Sequence, residues 1–123
     1  MQANGGGSIV NIASVEGMHP GAGLGLYSTS KAAMIMLTKN QAKEWGKYGV
    51  RSNVLCPGLI KTKFSAALWT NEKLLNKLEK TIPSGRIGMP EEMAGLAVLL
   101  ASDAGAYMTG GVYTADGGYL VAG

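Results

Sequence analysis

The sequence predicts an α/β fold, a parallel sheet of about three strands with flanking helices, and three observations carry the prediction. The runs Ser8–Ala13 and Val50–Cys56 are rich in Ile, Val and Leu without strict alternation, as strands covered on both faces are. Segments of helical period lie between and after these runs. The nineteen glycines cluster at the ends of the periodic segments rather than in a repeat, so they read as punctuation. At 123 residues, 46% apolar and 15% charged, the chain has the length and composition of one globular domain.

Each element has its own signal. Gly5–Gly7 form a flexible lead into the first strand, whose Ile9, Val10 and Ile12 suit a buried sheet. This cluster is not a dinucleotide loop, because such a loop follows a strand and opens a helix. Nor does G-A-G-L-G-L at 21 to 26 match, since its third glycine comes one residue early; it reads as a mobile loop. A helix is expected from about Leu26 to Tyr48, with Gly49 as its C-cap. Its patch A-A-M-I-M-L at 32 to 37 is too wide for one buried face, so one cover is the sheet and the other another helix, from this chain or from a second copy. Pro57-Gly58 terminates the second strand. A lid-like segment follows from Lys63 to Lys80, with an amphipathic stripe of Leu74, Leu75 and Leu78; Phe64 and Trp69 either pack it down or face a substrate. Pro90 with Glu91 and Glu92 suits the first turn of a helix running to about Ala101. Val112–Ala115 is the third strand, closed by D-G-G from Asp116.

Several function classes are set aside on the same reading. The net charge of +3 owes much to Lys39, Lys43 and Lys47, a row at i, i+4 spacing with Arg51 beyond, which reads as a solvated helix face rather than a nucleic-acid surface. Cys56 is the only cysteine, so no intramolecular disulfide can form and a reducing compartment is expected; beside Pro57 it reads as a small packing residue. The longest apolar run, at 93 to 101, is far short of the roughly twenty residues a bilayer span needs. The amino terminus lacks the charged start and apolar core of a signal peptide, and a cytoplasmic location is expected. No metal site is expected.

The chemistry concentrates between Ser14 and Lys31. Tyr27 and Lys31 stand four apart at the start of the long helical segment, on one face and one turn apart. An ammonium that close favours the phenolate and moves an acid with an ordinary pKa of roughly 10 toward neutral exchange. Tyr27 is thereby a candidate general acid or base. Ser14 ends the first strand, where its hydroxyl meets the sheet edge on which open α/β folds bind ligands, and there it can meet Tyr27. His19, the only histidine, reads as a loop-surface residue between glycines rather than a catalytic base, and Glu16 and Met18 share its ambiguity.

Ser14 thirteen residues before Tyr27, Y-x-x-x-K, Pro57-Gly58, Thr62 four residues further and D-G-G at Asp116 together resemble the carboxyl-terminal half of the short-chain dehydrogenase/reductase family. The resemblance covers Gly5 to Gly118. It implies the carboxyl-terminal half of a Rossmann-like doubly wound parallel sheet, with residues 1–123 as one partial domain. It implies further that a hydride passes between a nicotinamide cofactor, NAD or NADP, and a small-molecule carbonyl or alcohol substrate. Tyr27 would be the acid/base, Lys31 would lower its pKa and bind the nicotinamide ribose, and Ser14 would bond the substrate oxygen. Pro57, Gly58, Ile60 and Thr62 match the family's nicotinamide-binding loop, Ile60 through its backbone and Thr62 through its hydroxyl. The stretch from Cys56 to Trp69 is also similar to carbonyl reductases of the peroxisomal NADPH-dependent type.

The family is about twice as long, and its first half carries the glycine-rich phosphate loop, the residue selecting NAD or NADP and a catalytic asparagine, none of which occurs here. The chain is therefore expected to be a fragment, a misassigned start or a truncated product holding half a cofactor site. Two functions follow: the catalytic half of an oxidoreductase, inactive in isolation, or a non-catalytic α/β module acting through self-association. In either case a homo-oligomer is expected, packed through the helix containing Tyr27.

Overall fold

The computed structural model describes residues 1–122. Strand β1 (Gly7–Ile12) leads through a 3-10 turn at Val15–Gly17 to helix α1 (Gly25–Trp45), which continues as a 3-10 turn to Tyr48. Strand β2 (Val50–Pro57) is followed by the short helices α2 (Ala66–Trp69) and α3 (Glu72–Glu79). A 3-10 turn at Pro90–Met93 enters helix α4 (Ala94–Ala101), and strand β3 (Val112–Ala115) follows. The three strands are parallel in the order β1-β2-β3.

The central position of β2 explains its composition. Val54, Leu55 and Cys56 are almost wholly enclosed, as are Ser52 and Asn53, so both faces of the strand are covered and alternation has no physical basis. Helix α1 covers one face. There Ala13, Ile35, Val54 and Cys56 form a core, with Met34 and Val112 packed against it. A polar seam runs alongside: Asn11 Nδ2 donates to Thr38 Oγ1 (2.8 Å) and Gln41 Oε1 (3.0 Å), and Ser52 Oγ donates to Gln41 Oε1 (2.8 Å). Helix α4 covers the other face. Ser8 Oγ and Arg51 Nη1 both donate to the Leu100 carbonyl, at 2.8 and 2.9 Å, while Arg51 Nη2 donates to the Ser102 carbonyl at 3.0 Å. A cation thus satisfies carbonyls that the end of α4 leaves open.

The element boundaries agree with the sequence reading to within one or two residues. β1 begins and ends one residue early, though the Ala13 N–H still bonds the Leu55 carbonyl at 2.9 Å. Gly49 ends the 3-10 extension of α1 with φ 73°, the left-handed conformation expected of a glycine cap. The lid-like segment folds as α2 and α3, with the Asn71 side chain capping the Leu74 N–H at 3.1 Å. Leu74, Leu75 and Leu78 are half-buried. Among the described residues the second apolar side of α1 is left partly open, Met36 being 55% and Leu37 47% exposed. Among the described residues, no helix is long and apolar enough to cross a membrane.

Candidate active site

Ser14 follows the end of β1, and Lys31, one turn after Tyr27 on α1, reaches the same strand end. Ser14 lies two residues beyond β1 and is buried; its Oγ accepts the Glu16 N–H at 3.2 Å and caps the following 3-10 turn. That turn rests directly on α1. A Cβ at Gly17 would lie 2.8 Å from the Lys31 carbonyl carbon and 3.0 Å from Ile35 Cδ1, so only glycine allows this approach. The close contact fixes the segment carrying Ser14 against the turn of α1 that carries Lys31.

On α1, Lys31 Nζ stands 5.4 Å from the centre of the Tyr27 ring, and it reaches the Ile12 carbonyl at the end of β1 at 3.5 Å. The i, i+4 relationship read from the sequence therefore persists in space. Tyr27 is half-buried, and among the described residues no hydrogen bond engages its hydroxyl or joins it to Ser14. Cys56 closes the floor. Burial pushes its thiol above the ordinary value, opposed in part by a backbone hydrogen bond from Ser14 and by the charge of Lys31. A thiol so placed is neutral and packs, as the sequence reading expects.

The loop after β2 forms the second wall. The Gly58 N–H donates to the Ala115 carbonyl at 3.0 Å, and a Cβ at Gly58 would lie 2.7 Å from Asp116 Cα, so the ends of β2 and β3 meet there without room for a side chain. Ile60 then pairs with Gly88: the Lys61 N–H donates to the Gly88 carbonyl (2.9 Å) and the Gly88 N–H to the Leu59 carbonyl (3.0 Å). Parallel bridging of this kind directs Ile60's own N–H and C=O to the opposite side. Its carbonyl accepts Ser65 Oγ at 2.5 Å.

Thr62 and Ser65 are tied reciprocally. The Thr62 N–H donates to Ser65 Oγ (3.0 Å), the Ser65 N–H to Thr62 Oγ1 (3.3 Å), and the two hydroxyls lie 3.2 Å apart. Ser65 has one hydroxyl proton and its shortest contact is the Ile60 carbonyl, so the Thr62 hydroxyl is the donor between them. Trp69 adds an indole N–H to the Thr62 carbonyl at 2.9 Å and lies under Lys61 Nζ at 4.9 Å. Of the two bulky residues left open by sequence, Trp69 packs the segment down. Phe64 does not: it is 86% exposed, and its ring is stacked on that of Tyr27, centres 6.3 Å apart and planes inclined by 28°. Sequence reasoning missed Ser65 and Gly88. The Thr-x-x-Ser spacing was a legible signal for the first; the second is visible only once two distant loops are brought together.

His19 lies at the loop surface, as expected, with its ring edge-on to Tyr119 at 5.8 Å. Among the described residues no three His, Cys, Asp or Glu side chains converge as a metal site would require. The residues present fit a nicotinamide carboxamide in donor and acceptor character. Ile60 offers an N–H facing away from its bridge, and Thr62 Oγ1 keeps acceptor capacity after giving its proton to Ser65.

The family model described as Enoyl-(Acyl carrier protein) reductase matches residues 1–120. The rabbit (Oryctolagus cuniculus) protein Dehydrogenase/reductase SDR family member 4 is 42% identical over 118 residues, which are 96% of this chain and 45% of that protein. A gluconate 5-dehydrogenase from Burkholderia cenocepacia, solved in complex with NADP and tartrate, superposes with a TM-score of 0.95 at 35% identity, covering 98% of this chain and 47% of that one. A short-chain type dehydrogenase/reductase from Mycobacterium ulcerans superposes with a TM-score of 0.94 at 36% identity, over 98% and 44% of the two chains. The chain spans somewhat less than half the length of each of these proteins.

Proposed function

The chain belongs to the short-chain dehydrogenase/reductase family of oxidoreductases, and from that premise we propose that it is the catalytic half of an enzyme that moves a hydride between NAD or NADP and a small carbonyl or alcohol substrate. The observation that supports the reading is that Lys31, 5.4 Å from the Tyr27 ring centre, reaches the Ile12 carbonyl at the end of β1, two residues before Ser14, where the Gly17 approach holds the following turn against α1.

Ser14 donates a hydrogen bond to the substrate oxygen. Tyr27 passes its hydroxyl proton to that oxygen in reduction and recovers it in oxidation. Lys31 sits beside Tyr27 and would bind the ribose hydroxyls of the cofactor. Pro57 and Gly58 set the direction of the loop, and the Ile60 backbone N–H and Thr62 Oγ1 would hold the nicotinamide carboxamide as donor and acceptor. The nicotinamide, when bound, supplies or takes the hydride. The complex of the Burkholderia cenocepacia relative with NADP supports the cofactor class.

The test is a chimera in which this chain follows the portion of the Burkholderia cenocepacia enzyme that it does not cover. Cofactor-dependent turnover is expected, and Tyr27→Phe should lower it by at least roughly a hundredfold with the fold unchanged. Turnover equal in the two forms would remove Tyr27 from the mechanism.

A second reading rests on one specific observation. Met36 and Leu37 leave the outer side of α1 apolar and exposed, which supports a homo-oligomer packed through that helix. Self-association of this kind is compatible with catalysis and also serves the alternative of a non-catalytic module.

A further inference from the structure

We propose that Glu92 is a positioning residue for the nicotinamide: clamped by Arg86, it holds Gly88 in the bridge that aims the Ile60 N–H, so that opening the clamp weakens binding of the nicotinamide end of the cofactor and leaves its phosphate end untouched. The inference rests on the reading of Ile60 and Thr62 as the nicotinamide loop and adds what holds that loop from behind. Glu92 touches neither cofactor nor substrate in this scheme; it acts through Gly88.

The clamp brackets Gly88 on both sides. Arg86 donates to the Glu92 carboxylate through Nη2–Oε1 (2.6 Å) and Nη1–Oε2 (2.8 Å), and the Met89 N–H donates to the same Oε2 at 2.8 Å. One carboxylate thus ties a residue before Gly88 to the residue after it. Between them Ile87 is buried, its carbonyl accepting Arg86 Nη1 at 3.2 Å, and Met89 is extended, with φ −108° and ψ 150°. The upstream end is fixed as well, since the Ser84 N–H donates to the Gly117 carbonyl at 3.0 Å, just past β3. Held in this way, Gly88 exchanges hydrogen bonds with Leu59 and Lys61, and a Cβ on it would lie 2.7 Å from Ile60 Cδ1. The bridge uses the groups flanking Ile60 and leaves Ile60's own N–H and C=O on the other side. Ser65 Oγ takes the C=O, so the direction of the remaining N–H is set by Gly88 from one side and Ser65 from the other. A lone surface ion pair contributes little. Here the fork is bidentate and a backbone N–H shares the carboxylate, so removing its charge weakens three hydrogen bonds at once.

The test compares NADP with 2′-phospho-ADP-ribose, the same molecule without its nicotinamide, on the chimera that supplies the uncovered portion of the Burkholderia cenocepacia enzyme. Glu92→Gln should raise the dissociation constant for NADP at least roughly fivefold and leave that for 2′-phospho-ADP-ribose unchanged. Arg86→Gln should reproduce the loss, and the double variant should lose no more than Glu92→Gln does, because the two side chains act as one clamp. In the 123-residue chain, hydrogen exchange at the Lys61 and Gly88 amides should quicken in Glu92→Gln, while the Ala13 amide, bonded to the Leu55 carbonyl in the sheet, keeps its protection and reports an intact fold. Equal losses for both ligands, an unchanged constant for NADP, or unchanged exchange at Lys61 and Gly88 would each overturn the assignment. Thr62→Val separates that failure from failure of the loop reading. If it weakens NADP while Glu92→Gln does not, the clamp falls and the loop stands; if neither weakens NADP, the loop reading falls too.

Discussion

Lys31 Nζ lies 5.4 Å from the centre of the Tyr27 ring and 3.5 Å from the Ile12 carbonyl oxygen, so one ammonium joins the proton-bearing residue of α1 to the end of β1. Because Lys31 has two neighbours of different kind, its removal should separate two effects that removal of the tyrosine hydroxyl does not. In the chimera, Lys31→Ala is expected to lower turnover and also to raise the dissociation constant for the cofactor. Tyr27→Phe should lower turnover at unchanged cofactor affinity. Titration of both variants with the cofactor distinguishes them, and equal affinities would deny Lys31 its ribose contact.

Cofactor affinity of the 123 residues alone should be weak. Dinucleotide binding rests heavily on pyrophosphate contacts at a glycine-rich turn that leaves a strand and opens a helix. Here the Gly5–Gly7 cluster enters β1 instead, and the turn leaving β1 opens with Ser14. Calorimetry of the chain with NAD and with NADP should detect no micromolar binding; such binding would reveal a phosphate site elsewhere in these residues.

Gly58 is predicted to tolerate no side chain. With an added Cβ 2.7 Å from Asp116 Cα and 2.8 Å from Asp116 Cβ, Gly58→Ala forces the ends of β2 and β3 apart. Overpacking of this kind costs about 1–3 kcal/mol, readable as a lowered midpoint in urea unfolding. An unchanged midpoint would mean that the loop relaxes freely.

The ion pair ahead of α4 sets an acid limit. Arg86 grips Glu92 through Nη2–Oε1 (2.6 Å) and Nη1–Oε2 (2.8 Å), and the Met89 N–H donates to Oε2 at 2.8 Å. The Arg86 hydrogen bonds first, and then the Met89 N–H, lower the carboxyl from 4.5 to about 2. A depressed carboxylate stabilises the fold above its unfolded value and loses that contribution as pH falls toward the folded one. The thermal midpoint of the wild type should therefore exceed that of Glu92→Gln at neutral pH, and the gap should close between about pH 5 and pH 2. A gap independent of pH would assign the effect to the 3-10 turn's shape instead of its charge.

Assembly through α1 is tested at Met36 and Leu37, which are 55% and 47% exposed. Sedimentation of the chain at micromolar concentration should show a dimer, and Met36→Lys with Leu37→Lys should shift it to monomer while preserving the helical signal. A stable wild-type monomer would assign the exposed face no role in self-association.

The features legible along the chain are those whose causes are local. The strand at Val50–Cys56, the cap at Gly49, and the four-residue spacing of Tyr27 and Lys31 depend on neighbours a few positions away, and each stands in the structure where periodicity and backbone chemistry put it. Ser14 and the Pro57–Thr62 loop were legible as a group only through resemblance, because their spacing along the chain carries no geometry of its own. Tertiary structure alone decided the rest. That Phe64 stacks on Tyr27 while Trp69 turns inward follows from the Thr62–Ser65 turn, which orients two similar apolar residues differently. Arg51, read as part of a solvated basic row, is instead drawn into carbonyls at the end of α4, because β2 is central and its side chains meet whichever helix covers each face. The uncovered side of α1 was foreseen as a width of apolar surface, but which residues stay in water was set by the position of the helix over the sheet: Ile35 and Thr38 turn inward, and Met36 and Leu37 turn out.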